Sequence, residues 1–466
     1  MKKLKNIQLF CQILILSIVL CCVTLYSFRV SAMSNGKEQR REVPNKQKEK
    51  LKKLVTDFFE TYYDGLVNQE VPALDKYVLS NNNTSLYLSM LKSDVERSII
   101  LGTGYKDYKM NIVECSIESL SQDCFKVNFL YDLEYHYRMS EDISSAEYNK
   151  NFKIEIKLIS DNELRISKIN SNSKEYDNFK EEITETCIAE NGKLSAKNYG
   201  NSLNIVSERV KYETKDIKNQ LGIHVGKKLS HNYAYVDYDE ERIEKDYAWD
   251  RAGDLFLNTL AKFDNSKKAS AASKRTYSAT NAVKYARKYA NVGKDKKGKL
   301  LFYYVNGNDC TNFVSQCVWA GYGGYVSDDI SKTKKRIANK TYMTGSWYGG
   351  TGGGHANWEN VTKFASFASA SKTYGPQGKI YNNNGKCTKL SGIKLGDVIQ
   401  MKSANASRYG HSLFVTQVNY TPGAGSTFFV SCHSYDALNK NLADVYSEWG
   451  RNSYARRISF SDAKFK

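Results

Sequence analysis

Apolar residues recur at helical spacing soon after residue 50. In LKKLVTDFFETYYDGLVN, residues 51–68, Leu54, Phe58, Tyr62 and Leu66 fall on one face, and SLYLSMLKSDVERSIILG, residues 85–102, repeats the pattern. Two amphipathic helices are predicted there. The period then drops to two. YKMNIVECSIESL, CFKVNFLYDLEYHYRM, NFKIEIKLIS and LRISKI, between residues 108 and 169, alternate apolar with polar positions and are rich in Ile, Val, Phe and Tyr, which predicts long strands. The C-terminal half mixes both periods. SATNAVKYARKYANV (278–292) places Ala282, Ala286 and Tyr289 along one face of a helix, while 398–401, 411–419 and 427–433 read as strands, the last two joined by a Pro/Gly turn at 421–425.

Helices followed by a strand meander make an α+β unit over residues 51–175, which resembles in element order the cone-shaped nuclear-transport-factor-like fold. Residues 33–50 are charged and nearly devoid of apolar side chains, which suits a tether. Residues 176–274 read as a helical connecting region and linker. Its acidic stretch, 237–263, leans helical, and the Ser/Ala/Lys-rich segment 264–276 marks the boundary of a C-terminal domain over 275–466. A chain of 466 residues is long enough for two or three such domains.

Charge and the first thirty residues bear on location. The net charge of +18 suits attraction to polyanions such as anionic wall polymers. Zinc-finger spacing, RNA-recognition signatures and a base-reading basic helix are missing, so no nucleic-acid partner is expected. Lys2, Lys3 and Lys5 precede an apolar run from Leu9 to Phe28 and then Val30-Ser31-Ala32. Residues 1–32 thus read as an export signal or an uncleaved membrane anchor, with the remainder extracellular: wall-associated, or held on the outer face of the membrane through that segment alone. Beyond the leader stand seven cysteines, an odd number, so full pairing within one chain is excluded. A hairpin turning at Ser121-Gln122-Asp123 would put Cys115 opposite Val127, which argues against a Cys115–Cys124 bridge.

Candidate chemistry gathers at GNDCTNFVSQC, residues 307–317. Asn308 or Asp309 is placed to cap a helix whose packing face is Phe313, Val314, Cys317 and Val318, so Cys310 falls in the first turn. The positive end of the helix and its unpaired N–H groups would favour thiolate and lower the pKa of Cys310, and would also stabilise an oxyanion. The plain alternative is a buried structural thiol. A nucleophilic cysteine needs an imidazole, and His411 opens a strand that pairs with the one ending at His433. With the hairpin centred near Gly423, residue 433 lies opposite 413, and His411 and His433 share a face about 7–8 Å apart at the backbone. In that arrangement Cys310 attacks, His411 moves the proton and His433 orients His411, a role for which Asp436 and Asn439 compete. A zinc site using Cys310, Cys432 and His433 lacks ligand spacing.

The stretches YARKYA, DCTNFVSQC, Ala320-Gly321, Trp358 with Val361, Gly396-Asp397, His411-Ser412, Val415-Thr416 and His433 followed by ALNKNL closely resemble the bacterial amidase-domain family, related to NlpC-type and CHAP cell-wall cysteine peptidases. The resemblance covers residues 275–466. It implies a papain-like domain, a helix packed on an antiparallel sheet, with Cys310, His411 and His433 as catalytic residues. It also implies a cysteine amidase or endopeptidase that cleaves amide bonds in peptidoglycan peptides without a cofactor. A tyrosine ahead of the cysteine would be Tyr303 or Tyr304. The competing reading is a non-catalytic wall-binding or interaction protein that keeps the fold.

Overall fold

Alternation along the strands settles how the layers stack. The structure, a computed structural model, describes residues 42–180 and 272–466 apart from 161–162, 172, 174, 178, 292–299, 306–307, 382–389, 391, 404–405, 422–424, 435 and 450–452. The leader and most of the connecting region therefore lie outside the described residues. Helix α1 (Asn45–Asn68) buries Leu51, Val55, Phe58, Phe59, Tyr62 and Leu66. It starts inside the stretch read as a tether, because the Lys, Gln and Glu residues ahead of Leu51 are good helix formers that extend the amphipathic segment. Helix α2 (Asn82–Leu101) is capped by Asn81, whose side chain accepts from Asn83 and Thr84 N–H while Thr84 bonds back.

Four strands follow: β1 (Tyr105–Ser119), β2 (Cys124–Tyr137), β3 (Ser140–Ser160) and β4 (Glu163–Ser171). Along β2 every second residue from Phe125 to Tyr137 is buried, and α1 lays Phe59 and Tyr63 against that face. Each fully buried ring or aliphatic chain contributes about 1.5–3 kcal/mol. Cys115 pairs with Phe129 and not with the anticipated Val127: the turn lies where it was expected, and a hairpin centred on Gln122 sets 115 opposite 129. Cys115 and Cys124 are not bridged.

The second half adds β5 (Ser273–Arg275), α3 (Ala279–Tyr289), α4 (Cys310–Gly321) and α5 (Ile330–Ala338), then β6 (Gly349–Gly350), β7 (Gly353–Gly354), α6 (Ala356–Glu359) and α7 (Val361–Ser369). After these come β8 (Gln377–Tyr381), β9 (Val398–Lys402), β10 (His411–Thr421), β11 (Gly425–Cys432), β12 (Ala437–Asn441), α8 (Leu442–Glu448), β13 (Tyr454–Ser461) and β14 (Ala463–Phe465). Strand β5, mostly within the stretch read as connecting region, pairs with β14 and so belongs to the C-terminal half. Both halves share one sheet in the order β1-β2-β3-β12-β11-β10-β9-β13-β8, with β4 on the remaining half of β3. The α+β class is confirmed.

In β10, Phe414 faces a core built with α3, α4 and α7, whereas Leu413 and Val415 face a second core that includes Leu442, Val445 and Trp449. The turn into β9 requires Gly396: its φ is +80°, and a Cβ there would stand 2.8 Å from the Ala279 Cβ.

The two halves join where β12 meets β3, through Ala437↔Glu147 and Leu438↔Ala146. The Tyr148 N–H donates to the Asp436 carbonyl at 2.7 Å, Ser145 Oγ to the Asn439 carbonyl at 2.6 Å, and Tyr137 Oη to Asp444 at 2.7 Å. Lys440, buried at the join, reaches Glu147 at 3.1 Å and Glu448 at 2.5 Å. Burial alone would raise the Glu147 carboxyl, but Lys150 and Lys440 outweigh it and hold it down at about 2.

Lys440→Met should therefore leave two buried carboxylates short of a cation and cost about 3–5 kcal/mol in urea unfolding at pH 7, and an unchanged midpoint would refute the join. Because Glu147 sits below its ordinary value, its contribution is present above the normal carboxylate range and is lost as pH falls toward 2. The stability gap between wild type and Lys440→Met should shrink along that same descent.

Candidate active site

The first turn of α4 is not capped by its own side chain. Asp309 occupies the N-cap position and makes no capping bond. This corrects the expectation that Asp309 or Asn308 caps the helix: the Asp309 carboxylate is fully engaged elsewhere. Its Oδ1 accepts from Val305 N–H at 2.6 Å and Asn312 Nδ2 at 2.7 Å, and its Oδ2 meets His433 Nδ1. The Asp309 N–H donates to Ser434 Oγ at 3.0 Å. On its other side the His433 ring donates from Nε2 to the Tyr289 carbonyl at 2.5 Å, since a carbonyl can only accept. Burial pulls the His433 imidazole down, yet the hydrogen bond and charge of Asp309, the charge of Asp436 and the Tyr289 carbonyl outweigh it and hold it above its ordinary value.

With Asp309 turned away, the N–H groups of the first turn are left to the thiol. Cys310 Sγ lies 3.3 Å from Thr311 Oγ1, and the backbone N–H groups of Thr311, Ser412 and Cys310 itself act on the thiol in the lowering direction. Those contacts favour thiolate, as the helix position suggested. Burial acts the other way and dominates: the side chain is 3% exposed, and desolvation pushes the thiol up to about 11. The anticipated lowered pKa is thus reversed, because burial penalises the charged form of the sulfur.

The Val415 N–H donates to the Asp397 carbonyl at 2.7 Å on the β9 side, so the N–H groups of Ser412 and Phe414 point toward β11. Pairing of β10 with β11 stops at Phe414↔Ser431. Among the described residues no β10–β11 pair lies beyond it. The two histidines flank the plane of the sheet rather than sharing a face. Between Val415 and Gln417 the register shifts by one residue, so the pairing runs toward 412 opposite 433 instead of 413 opposite 433. His411 turns to the α8 side, its ring 4.7 Å from that of Trp449, while His433 packs 4.1 Å from Phe313 on the α4 side and 5.8 Å from Tyr304. Among the described residues the partners of the thiol include no imidazole.

Several residues around the thiol escaped the sequence reading. Thr311 Oγ1 meets Ser412 Oγ at 2.9 Å, Gln400 Nε2 donates to Ser412 Oγ at 3.0 Å and to the Val361 carbonyl at 2.9 Å, and Arg456 Nε donates to Gln400 Oε1 at 2.8 Å. Cys310 also packs with Val361 and Tyr409. Polar residues at inward positions of otherwise apolar strands were the available signal for Gln400 and Ser412. Elsewhere in this half, His355 caps α6 by accepting from Asn357 N–H at 3.0 Å, Trp358 is buried and donates to Asn312 Oδ1 at 2.7 Å, and Asp397 holds the turn at Lys394 N–H at 2.9 Å. Among the described residues no group of three His, Cys, Asp or Glu side chains is placed to hold a metal.

Two measurements test this geometry. The rate of iodoacetamide labelling at Cys310, followed by mass spectrometry, should climb from pH 7 to pH 10 with no plateau near neutrality, and a plateau below pH 8 would contradict the buried, protonated thiol. His433, raised above its ordinary value, contributes stability that is complete below pH 6.5 and lost as pH rises through its folded value. Asp309→Asn should therefore destabilise most at pH 6 and progressively less toward pH 9; an equal loss at every pH would show that the pair carries no such linkage.

Residues 276–458 match the family model described as "Putative amidase domain". The chain is 29% identical over 204 residues to the uncharacterized protein YjcM of Bacillus subtilis (strain 168), a similarity covering 43% of this chain and 42% of that protein, so the chain spans less than half the length of the curated relative it matches. No solved structure matches. The similarity to an amidase domain thus falls on the C-terminal half of the chain, the half that carries α4 and β10.

Proposed function

We propose that the C-terminal half is a cysteine-dependent amide hydrolase acting on peptide amides of peptidoglycan, with Cys310 as nucleophile and His411 as general base. The observation that carries this reading is that Thr311 Oγ1 lies 3.3 Å from Cys310 Sγ and 2.9 Å from Ser412 Oγ, which links the thiol to the residue next to His411. The buried thiol keeps its proton at neutral pH, so attack requires a base. The His411 ring leaves Trp449, turns about the strand end and takes that proton as the sulfur bonds to the amide carbon. As the sulfur advances, the N–H groups of Cys310, Thr311 and Ser412 face the developing oxyanion. The amine departs with the proton from His411, and water, deprotonated by the same ring, releases the acid from the thioester. His433 in this scheme holds Asp309 and the start of α4 rather than orienting His411. The basic leader and the net charge of +18 support export to an anionic wall.

The second reading, a binding protein that keeps the fold, is favoured by one observation, the enclosure of a thiol raised to about 11. Incubating the full chain with peptidoglycan fragments and following new amine and carboxyl termini by mass spectrometry decides between them. Cys310→Ala should remove turnover by about 10³-fold or more, and His411→Asn by about 10²–10⁴-fold. Wild-type protein that yields no new termini between pH 6 and 9 would leave the binding reading standing.

A further inference from the structure

A cleft of about 450 Å³ opens beside the thiol, lined by Thr362, Lys402, Ser407, Arg408, Tyr409, Tyr454 and Arg456. Tyr409 is the shared wall, since it also packs on Cys310 and Val361. Tyr409 thus belongs both to the cleft and to the surroundings of the sulfur. Three of the lining residues are cations and none is acidic. Two of the cations are held in place by aromatic rings: the Arg456 guanidinium lies 4.1 Å over Tyr409, and Lys402 Nζ lies 4.6 Å over Tyr454. Arg456 is further fixed by its bond to Gln400, whose amide reaches Ser412 beside the sulfur. Burial lowers Arg456 to about 10, which leaves it charged at neutral pH. Positive charge gathered in a partly enclosed, aromatic-walled space selects against cations and in favour of a small anion, and a fixed guanidinium suits the two oxygens of a carboxylate.

We propose that this cleft is a carboxylate subsite, taking an acidic residue of the substrate that flanks the amide attacked by Cys310. The assignment of the attacked bond rests on the hydrolase reading above; the anion site does not. An acidic group seated over Arg456 and Lys402 would bring the adjoining amide past Tyr409 to the sulfur and fix which bond is presented.

Calorimetric titration of the full chain with glutarate, glutaramide and inorganic phosphate tests the site without requiring turnover. Glutarate should bind and glutaramide should not, and the Lys402→Gln/Arg408→Gln double variant should weaken glutarate at least tenfold. Glutarate should also slow iodoacetamide labelling of Cys310 in the wild type and lose that effect in the double variant. Equal binding of glutarate and glutaramide, no binding of either, or an unchanged double variant overturns the proposal. So does phosphate bound in preference to glutarate, which would assign the cleft to a phosphate polymer, or labelling that bound glutarate leaves untouched. Cys310→Ala protein that binds glutarate normally, beside wild type that cleaves nothing, would sink the hydrolase and spare the subsite.

Discussion

The site depends on where one carboxylate goes. Asp309 stands at the N-terminus of α4, yet it bonds Val305, Asn312 and His433 instead of capping its own helix. This ties three segments together, because His433 passes the connection on to the Tyr289 carbonyl at the end of α3. It also leaves the first-turn N–H groups to the sulfur of the next residue. A capping aspartate would have used one of those donors and, being negative, opposed a thiolate beside it. Fixing α4 and exposing its donors are thus one arrangement.

The sheet supplies the other side of the site. The register of β10 and β11 shifts at Thr416 and their pairing ends at Phe414↔Ser431, so His411 and His433 lie beyond it. The Ser412 side chain at that end meets Thr311 Oγ1, which lies 3.3 Å from the Cys310 sulfur.

The N-terminal half contributes more than attachment. Its strand β3 joins the sheet of the C-terminal half through β12, and Asn149 and Tyr148 hold Asp436, three residues past His433. The Lys440 network, with Glu147 from one half and Glu448 from the other, sets the position of the same segment. Breaking a buried network of this kind is costly, so the loop that carries His433 is as firmly placed as the strands around it. The basic cleft lies across the site from this join, at the β9 and β13 side, where α7 and the segment before β10 close over Tyr409.

Local pattern alone determined the helices at 51–68, 85–101 and 279–289, the long alternating strands of the N-terminal half, the place of Cys310 in a first helical turn, and His411 at the start of a strand. These follow from side-chain periodicity and from residues whose preferences act within a few positions. Tertiary structure decided what depends on distant neighbours. The bulge at Thr416 moved His433 to the other face, since a shift of one residue reverses every side chain beyond it. Burial under Val361 and Tyr409 reversed the expected shift of the Cys310 thiol, because desolvation is set by what packs around a group and not by its place in a helix. The cleft of Lys402, Arg408 and Arg456 was equally invisible, as its cations come from two strands and a loop that the fold alone brings together.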